Sequence, residues 1–504
     1  MQYRAVMLSL ACAVGCLLPG NLPAQEWTRF RGPNGTGISD ATTIPVKWSE
    51  NDYNWKIELP GVGHSSPVLW GNKLFVMSAL EDSATRIVLC INADDGSTLW
   101  SKEFASAVHN KHVLNSFASP TPAVDADHVY VCWSTPDEYT LMAFDHSGNL
   151  VWKRDLGQFT SQHSCGTSPI VYQDLVILGN DQDGPSYLIA VNRKTGETVW
   201  QKPRETAVVA YSTPCIYQPP GKPAELIFNS QAHGVTSLDP LTGKTNWELK
   251  GVFDKRSVSS PVIVSGLIIG SCGSGAGGGD YVAAVRPGTI DPSGQPKEVW
   301  RMTKAKATPY VPTMVAKGEL LFLFGKGIVT CMKGATGEEI WQKSIGGNFF
   351  GSPVCVNDRL YCMREDGECL VLAATDKYEL LGSTPLGDSS RSTPAVAKAS
   401  TLAEWIESKP DTWWSVDGDP LLTSIVDFPC PSDELAPAIR RIGATLVLQD
   451  KDDKSTASGE QVNADRLDDL SDTNNKSRQK TLLLSWKDSD TDWLLMEDEP
   501  LTEP

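Results

Sequence analysis

The side chains best suited to binding recur once per repeat along this chain, three residues before a series of prolines. The prolines stand at positions 67, 120, 169, 214, 261, 312, 353 and 394. An aromatic ring can stack on an apolar group, a guanidinium can pair with an anion, and a histidine can exchange a proton near neutral pH. The residues concerned are His64, Phe117, Gly166, Tyr211, Val258, Pro309, Phe350 and Arg391.

Carboxylates form a second candidate set, in the segments that would join the second and third strand of each repeat. They are Glu81, Asp82, Asp137, Glu138, Asp181, Asp183, Glu365 and Asp366. From both sets, the residues expected to bind a partner or ligand are His64, Phe117, Tyr211, Phe350, Arg391, Asp181 and Asp183. The alternative is that the aromatic rings only fill a channel and that the acids are solvated hairpin tips.

Catalytic and metal-binding patterns are weak, and we expect neither a catalytic residue nor a metal. His109 and His112 lie three residues apart, but a metal site needs further ligands that the sequence does not supply. Residues 488–492 alternate acidic side chains as a calcium loop does, yet Trp493 stands where such a loop needs glycine.

These candidate residues are embedded in an internal repeat of tryptophan. Successive tryptophans lie 41 to 53 residues apart, and a glycine precedes five of them by four residues, at 96, 148, 196, 243 and 337. A period of this length in short β-type runs indicates propeller blades. The repeat tryptophans are Trp55, Trp100, Trp152, Trp200, Trp247, Trp300 and Trp341.

One repeat shows the expected blade. Residues 168–172, 175–179, 187–191 and 198–200 are β-branched or apolar runs, bounded by Gly, Asn, Asp and Pro. Such runs predict four antiparallel strands joined by hairpins. Each Trp can fill the wedge between neighbouring blades, and each glycine suits a turn at positive φ.

At this point the chain resembles a known family. Residues 190–200, Ala-Val-Asn-Arg-Lys-Thr-Gly-Glu-Thr-Val-Trp, are similar to the tryptophan-docking repeat of propellers of the pyrroloquinoline quinone (PQQ) type. That superfamily contains quinoprotein dehydrogenases and non-enzymatic, BamB-like propellers. Residues 27–37 and 308–312 look more like secreted bacterial PQQ-like repeat proteins of unassigned function. The resemblance covers about residues 27–396 and implies an all-β propeller. Eight strand starts at the prolines and seven outer-strand tryptophans predict that it has eight four-stranded blades.

The resemblance leaves two functions open. The favoured one is an exported, non-enzymatic scaffold whose central funnel binds an envelope protein or a small ligand, with no cofactor. The alternative is an oxidoreductase that depends on PQQ and Ca²⁺. PQQ dehydrogenases typically carry adjacent cysteines over the quinone and carboxylate and amide ligands for Ca²⁺. This sequence has no adjacent cysteine pair, and the other elements cannot be placed in it.

Composition and the N-terminus indicate an exported protein. A net charge of -17 argues against nucleic acid and anionic membrane surfaces as partners. Arg4, an apolar run over 5–18 and a small-residue site ending at Ala24 have the layout of a signal peptide spanning 1–24. We expect a monomeric protein that is located in the periplasm or outside the cell and has no transmembrane span. Lipid anchoring at Cys16 is a lesser alternative, because the lipobox is poor.

The expected domains follow from the repeat. After the leader come an extended segment over 25–53, the propeller over 54–400 and a divergent, partly disordered acidic tail over 401–504. Residues 54–59 are predicted to supply the outer strand of the eighth blade, beside Thr393–Val396, because closure removes the open edges. Residues 455–480 lack aromatic side chains and are expected to lack fixed structure. A fused segment, a frame change and true divergence all fit the tail.

Overall fold

The computed structural model describes residues 26–41, 44–206, 208–274, 279–303 and 307–397, and six strands beyond them. The expected signal peptide lies outside the described residues. The chain divides into two compact units, Met1–Lys398 and Ala399–Pro504.

The first unit is a β-propeller built from seven four-stranded antiparallel sheets, which we call blades 1 to 7. A two-residue strand, β1 (Ile38–Ser39), adds to blade 7 in parallel with its innermost strand. Blade 1 comprises β2 (Val68–Trp70), β3 (Lys73–Ala79), β4 (Arg86–Asn92) and β5 (Thr98–Phe104), and blade 2 comprises β6 (Ala123–Val124), β7 (His128–Ser134), β8 (Tyr139–Asp145) and β9 (Leu150–Asp155). Blade 3 comprises β10 (Ile170–Tyr172), β11 (Leu175–Asn180), β12 (Ser186–Asn192) and β13 (Thr198–Arg204), and blade 4 comprises β14 (Cys215–Tyr217), β15 (Glu225–Ser230), β16 (Gly234–Leu238) and β17 (Thr245–Leu249). Blade 5 comprises β18 (Val262–Val264), β19 (Leu267–Cys272), β20 (Tyr281–Arg286) and β21 (Lys297–Met302). Blade 6 comprises β22 (Val315–Lys317), β23 (Leu320–Phe324), β24 (Ile328–Lys333) and β25 (Glu339–Ser344). Blade 7 comprises β26 (Val354–Val356), β27 (Arg359–Met363), β28 (Glu368–Ala373) and β29 (Leu380–Pro385).

Burial within a blade follows from its place between two neighbours. In blade 3 every residue of β11 is buried. In β13, the outer strand, only Trp200 and Arg204 are buried, and most of the other residues are exposed. A central strand covered on both faces favours a continuous run of apolar side chains, as in Leu175–Leu178. Short β-branched runs between turn residues therefore form the blades, as the sequence predicts.

The repeat tryptophans join each blade to the next. Trp152 in β9 donates its indole N–H to the carbonyl of Arg193 at 3.0 Å, in the turn before β13. Its ring lies against Gly196 of that turn, where a Cβ would come within 2.7 Å of Cδ2. Equivalent indole bonds run from Trp55, Trp100, Trp200 and Trp300 to carbonyl oxygens one blade further on.

A circle of hydrogen bonds links the inner strands around the axis. In each bond a backbone N–H donates to the Ser or Thr hydroxyl at the equivalent position of the next repeat, over 2.9 to 3.3 Å. We call these residues the hydroxyl circle. In order they are Ser66, Thr121, Ser168, Thr213, Ser260, Thr313, Ser352 and Thr393, and the N–H of Thr393 donates back to Ser66.

The N-terminal residues 26–39, here called the plug, reach four blades. The carbonyls of Trp27 and Thr28 accept N–H bonds from Leu69 of blade 1 and Val124 of blade 2. A 3-10 turn at Pro33–Gly35 places the Asn34 amide against both backbone groups of Ile216 in blade 4. With β1 paired to blade 7, the plug spans the channel. Within the predicted extended segment over 25–53, residues 26–39 thus form hydrogen bonds with the blades.

Residues 44–62 continue from blade 7 to blade 1. The carbonyl of Ile44 accepts bonds from Arg359 and Tyr361, both 3.0 Å. After a 3-10 turn at Glu50–Asp52, Val62 forms an isolated bridge with Ala79.

The strand pairing predicted for an eighth blade is not formed. Neither 54–59 nor Thr393–Val396 forms a strand, so the expected pairing between them is absent. Trp55 nevertheless binds the turn of blade 1, through the carbonyl of Ala93 at 2.8 Å, and Thr393 completes the hydroxyl circle. The described residues form seven four-stranded blades, and an eighth stays a prediction.

The second unit contains one sheet, described only as strands. It comprises β30 (Val416–Asp419), β31 (Thr423–Phe428), β32 (Thr445–Asp450), β33 (Glu460–Asn463), β34 (Lys480–Ser489) and β35 (Asp492–Leu495). The strands occur in the order β30-β31-β34-β32-β33, and β35 also pairs with β34. The interval 455–480, expected to lack fixed structure, contains β33 and the first residue of β34; its other residues lie outside the described part.

Two further findings concern the described residues as a whole. All nine of their cysteines are buried and free. No described helix has the length and apolar character needed to cross a membrane.

Candidate functional site

A cavity of about 220 Å³ lies on the propeller axis and is here called the funnel. Every member of the hydroxyl circle except Ser260 lines the funnel. Phe30 of the plug lines it as well. The remaining lining residues come from the loops that enter the inner strands. They are His64, His112, Leu114, Asn115, Ser119, His163, Gly166, Tyr211, Val258, Tyr310, Val311, Phe350 and Arg391.

The structure brings six of the eight predicted ring residues into this one cavity. They are His64, Gly166, Tyr211, Val258, Phe350 and Arg391. Pro309 does not line the funnel, although the next two residues do. Phe117 is not a funnel residue either. It is buried beside Arg86 and Lys111, whose cationic groups lie 4.9 and 5.0 Å from its ring centroid.

The predicted carboxylates do not line the funnel. Asp181 is buried in a bidentate pair with Arg204, with Nε–Oδ1 and Nη2–Oδ2 distances of 3.0 and 2.8 Å. Because Arg204 also donates to Ser230 of blade 4, this pair ties blade 3 to blade 4. Asp183 is exposed and accepts the backbone N–H of Val209 at 2.8 Å. Asp181 is thus a structural group, contrary to prediction.

Arg391 forms a compact group at the funnel wall. Its Nη2 pairs with Glu365 at 2.7 Å, and its guanidinium carbon lies 4.8 Å from the ring centroid of Phe350. A cation over an aromatic face is attracted by the ring quadrupole, which orients the guanidinium beside the cavity. Arg391 therefore presents a fixed positive group to anything that enters.

His64 is held neutral. Its backbone N–H donates to Ala118 at 3.0 Å, which fixes the loop entering blade 1. Burial, and then the positive charges of Arg391 and Lys111, lower the pKa of His64 to about 4. At neutral pH its imidazole can donate one hydrogen bond and accept another.

A second basic group was missed by the sequence reasoning. His163 and His112 stack with ring centroids 4.2 Å apart, and Nη1 of Arg256 lies 3.2 Å from Nε2 of His163. A guanidinium can only donate, so Nε2 accepts and the proton of a neutral His163 is on Nδ1. Burial, then the charge of Arg256, lower the pKa of His163 to about 4. Arg256 forms no salt bridge with any described residue.

Tyr211 closes this side of the cavity. Its backbone N–H donates to Ser257 at 3.0 Å, and its hydroxyl lies 3.2 Å from that of Ser161. The ring is stacked near His163, with centroids 6.3 Å apart. Aromatic surface, imidazole and guanidinium are thus contiguous over several loops.

One acidic group away from the funnel has the ligand types of a metal site. It comprises Asp125, Asp127 and His128. Nη1 of Arg193 already lies 3.1 Å from Asp125 and 2.7 Å from Asp127. The guanidinium supplies the positive charge there, and the group carries no metal assignment.

Comparison with known proteins identifies the fold family. The family model described as outer membrane protein assembly factor BamB matches residues 43–213, 88–286 and 278–401. The chain belongs to this family of PQQ-like β-propeller repeat proteins. The predicted family is therefore confirmed, and no curated protein matches the chain.

Two solved dehydrogenase structures agree with this fold at low identity. A quinohemoprotein alcohol dehydrogenase from Comamonas testosteroni is 14% identical with a TM-score of 0.53, covering 80% of this chain and 76% of its own. A europium-containing methanol dehydrogenase is 11% identical with a TM-score of 0.51, covering 80% and 89%. BamB from Moraxella catarrhalis is 13% identical with a TM-score of 0.49, covering 74% and 96%.

The funnel does not fit the calcium site that the dehydrogenase resemblance implies. Ca²⁺ prefers six to eight oxygen ligands that include carboxylates. The funnel is lined by hydroxyls, imidazoles, aromatic rings and Arg391, and none of its lining residues is Asp or Glu. Glu365 nearby is already paired with Arg391. This donor set suits an anion better than a divalent cation.

Proposed function

We propose that this protein is an exported, non-enzymatic propeller whose funnel binds an acidic segment of an envelope protein. The observation that carries the proposal is the lining itself. Arg391 and the neutral imidazoles of His64 and His163 stand beside aromatic rings, with no lining carboxylate, in a chain whose net charge is -17. Local positive charge in an acidic protein favours an anionic group at that place.

The size of the cavity favours a protein partner over a small ligand. A volume of about 220 Å³ lies below the roughly 300–1,000 Å³ of ordinary small-molecule sites. It suits one or two inserted side chains. Beside it, the loop before β6 exposes Val113 and Leu114, at 82% and 42%. Exposed apolar residues at the rim of a polar cavity are typical of an interface for a protein.

Family membership supports the envelope as the setting. The matching family model is described as an assembly factor for outer membrane proteins. An exported relative of that kind would act as a scaffold at its funnel. The fold itself hosts other activities, so the proposal rests on the funnel lining.

The first prediction tests the funnel as the binding site. Arg391→Ala and Tyr211→Ala should each abolish capture of the partner from envelope extract, because each removes a side chain that lines the cavity. Thermal stability should change little for Arg391→Ala, since a partly exposed ion pair contributes about 0–1 kcal/mol. Pull-down followed by mass spectrometry, with melting curves for each variant, makes the measurement.

Arg301→Ala is the matched control. Arg301 also pairs with a glutamate, Glu298, and also covers an aromatic ring, Tyr281 at 4.3 Å, but it lies outside the funnel. Capture should survive in this variant. Equal losses of capture in Arg301→Ala and Arg391→Ala would contradict the proposal.

Reconstitution distinguishes this function from a quinoprotein oxidoreductase. Purified protein is incubated with PQQ and Ca²⁺, and dye-linked oxidation of simple alcohols and sugars is measured. We expect no turnover. Oxidation of any of these substrates would favour the oxidoreductase and overturn the scaffold proposal.

A further inference from the structure

Each hydroxyl of the hydroxyl circle accepts a backbone N–H bond and keeps its own O–H unused. The hydroxyl of Ser66, for example, accepts from the N–H of Thr393 at 3.0 Å, and its O–H has no acceptor among the described residues. The other members of the circle are bonded in the same way. A hydroxyl can donate one bond and accept two, so the N–H bond leaves the donor available. Because every member except Ser260 lines the funnel, hydroxyl donors surround that cavity.

Three of the loops that enter the inner strands lie side by side at one wall of the funnel. In the first loop, a Cβ on Gly351 would lie 2.4 Å from the carbonyl oxygen of Ser392 in the second loop. The hydroxyl of Ser392 in turn donates to the carbonyl of Ser65 in the third loop, at 3.1 Å. These contacts make neighbours of three circle members that line the funnel: Ser352, Thr393 and Ser66.

Arg391 belongs to the same wall and has one nitrogen free. Its Nε and Nη2 both donate to Oε1 of Glu365, at 3.2 and 2.7 Å, whereas Nη1 has no acceptor in the part of the chain that the structure describes. The positive charge of Arg391 is thus shared with Glu365, and holding an anion here requires further hydrogen bonds from neutral donors. We call the set that can supply them the donor wall. It comprises Arg391, Ser66, Ser352 and Thr393.

We propose that the donor wall binds the side-chain carboxylate of a glutamate or aspartate of the partner, and that its three hydroxyls donate hydrogen bonds to that carboxylate. The inference rests on the proposed function and assigns the group that enters the funnel. An ionised carboxylate only accepts hydrogen bonds and offers about four lone pairs to the donors around it. A side-chain amide would bring two donors of its own to a cavity that no carboxylate lines. The hydroxyl circle thus joins the blades as an acceptor and binds the partner as a donor.

Serine-to-alanine variants separate these two roles. Ser66→Ala and Ser352→Ala each remove a funnel hydroxyl together with the acceptor of one bond between repeats. Ser260→Ala is the matched control, because it removes the acceptor of such a bond but no funnel hydroxyl. Melting temperatures should therefore fall by similar amounts in all three variants. A difference in binding between them then reports on the donor wall.

The binding probe is a fluorescent hexaglutamate peptide blocked at both ends, so that only its side chains carry carboxylates. Anisotropy is measured with the full chain at constant pH and ionic strength. The Kd should rise at least about tenfold in Ser66→Ala and in Ser352→Ala, because each loses a hydrogen bond to a charged group. Ser260→Ala should bind as wild type does. Hexaglutamine blocked in the same way should not bind.

The outcomes distinguish this inference from the proposed function. If Arg391→Ala loses the peptide while Ser66→Ala and Ser352→Ala keep wild-type affinity, the funnel still binds acidic segments and only the role of the hydroxyls is wrong. Equal losses of affinity in Ser260→Ala and Ser352→Ala would also overturn that role. If wild type does not bind the peptide, or if Arg391→Ala binds it equally well, both proposals fail.

A crystal structure of wild type with the peptide decides the question if the serine variants do not fold. A glutamate carboxylate should then lie within hydrogen-bonding distance of Oγ of Ser66 or Ser352. A carboxylate bound elsewhere on the chain would overturn the inference.

Discussion

A protonated imidazole is unfavourable inside the funnel, and His64 shows how burial and charge act together. Its pKa in the folded protein is about 4, against an ordinary value of 6.5. The unfolded chain therefore binds a proton at this position between those two pH values, while the folded chain does not. Linkage then lowers the stability of the protein as the pH falls from 6.5 toward 4.

The prediction at this residue is a changed pH dependence. His64→Gln keeps hydrogen-bonding capacity but cannot be protonated, so its melting temperature should fall less than that of wild type between pH 7 and pH 5. Thermal melts at a series of pH values measure the difference. Parallel curves for the two proteins would show that His64 is not held neutral by the fold.

The positions of the site residues follow from the hydroxyl circle rather than from the prolines. Counting back from Pro120 gave Phe117, and counting back from Pro312 gave Pro309, and both residues lie outside the funnel. In the hydroxyl circle, Thr121 and Thr313 occupy the positions in their repeats that Ser66 occupies in the first repeat. Counting from that register gives Ser119 and Val311, which do line the cavity. A proline marks the start of a strand only approximately; the hydroxyl that accepts a specific bond marks it to the residue.

Other parts of the site lay beyond the reach of the repeat pattern. His163 and Arg256 occupy loop positions at which no other repeat carries a histidine or an arginine. Only folding brings the two side chains within 3.2 Å of each other. Asp181 illustrates the converse. It precedes a hairpin tip in the sequence, yet its partner Arg204 is 23 residues away. Pairings of this kind depend on the tertiary structure and not on local spacing.

At the scale of the elements, the glycine of each blade turn has a second role that its φ alone did not predict. Gly96, Gly148, Gly196, Gly243 and Gly337 each receive the tryptophan ring of the preceding repeat. The Gly and the Trp four residues later thus serve different interfaces, one on each side of the blade. The spacing of the two markers follows from the blade geometry.

Substitution of Gly196 should separate the two roles. Gly196→Ala places a methyl group at φ +73°, within 2.7 Å of the ring of Trp152. Strain and overpacking together should lower the free energy of unfolding by about 2–4 kcal/mol. Gly221→Ala is the control, because Gly221 also has a positive φ, +66°, but faces open space, and it should lose only about 1 kcal/mol. Denaturant titration gives both values, and equal losses would contradict the docking role.

At the scale of the whole molecule, the hydroxyl circle and the N-terminal residues connect the two ends of the propeller. The sheets were predictable, because alternating apolar runs and turn residues are local signals. The connection between the two ends of the propeller was not predictable in this way. Residues 54–59 have a strand-like pattern but form no strand, whereas Ile38–Ser39, with no such pattern, pairs with Cys355–Val356. Which edge a short segment joins is decided by the unpaired backbone that the rest of the fold presents.

Closure at the eighth position can be tested through the circle. Thr393→Val keeps the shape of the side chain but removes the acceptor for the buried N–H of Ser352. Thr213→Val does the same to Ser168 within blade 4. Each should cost roughly 1–3 kcal/mol, the usual penalty for an unsatisfied buried donor. A full loss in Thr213→Val with none in Thr393→Val would show that the circle is open at its end.

The bonds of the hydroxyl circle all point the same way around the axis, and this bears on how such a chain can change during evolution. Each repeat donates forward and accepts from behind, so every joint is interchangeable with every other. A gene duplication that copies one repeat inserts a unit whose two faces already match its new neighbours. The number of repeats is then limited by the wedge angle between blades. The hydrogen bond that joins neighbouring repeats does not by itself fix how many repeats the ring contains.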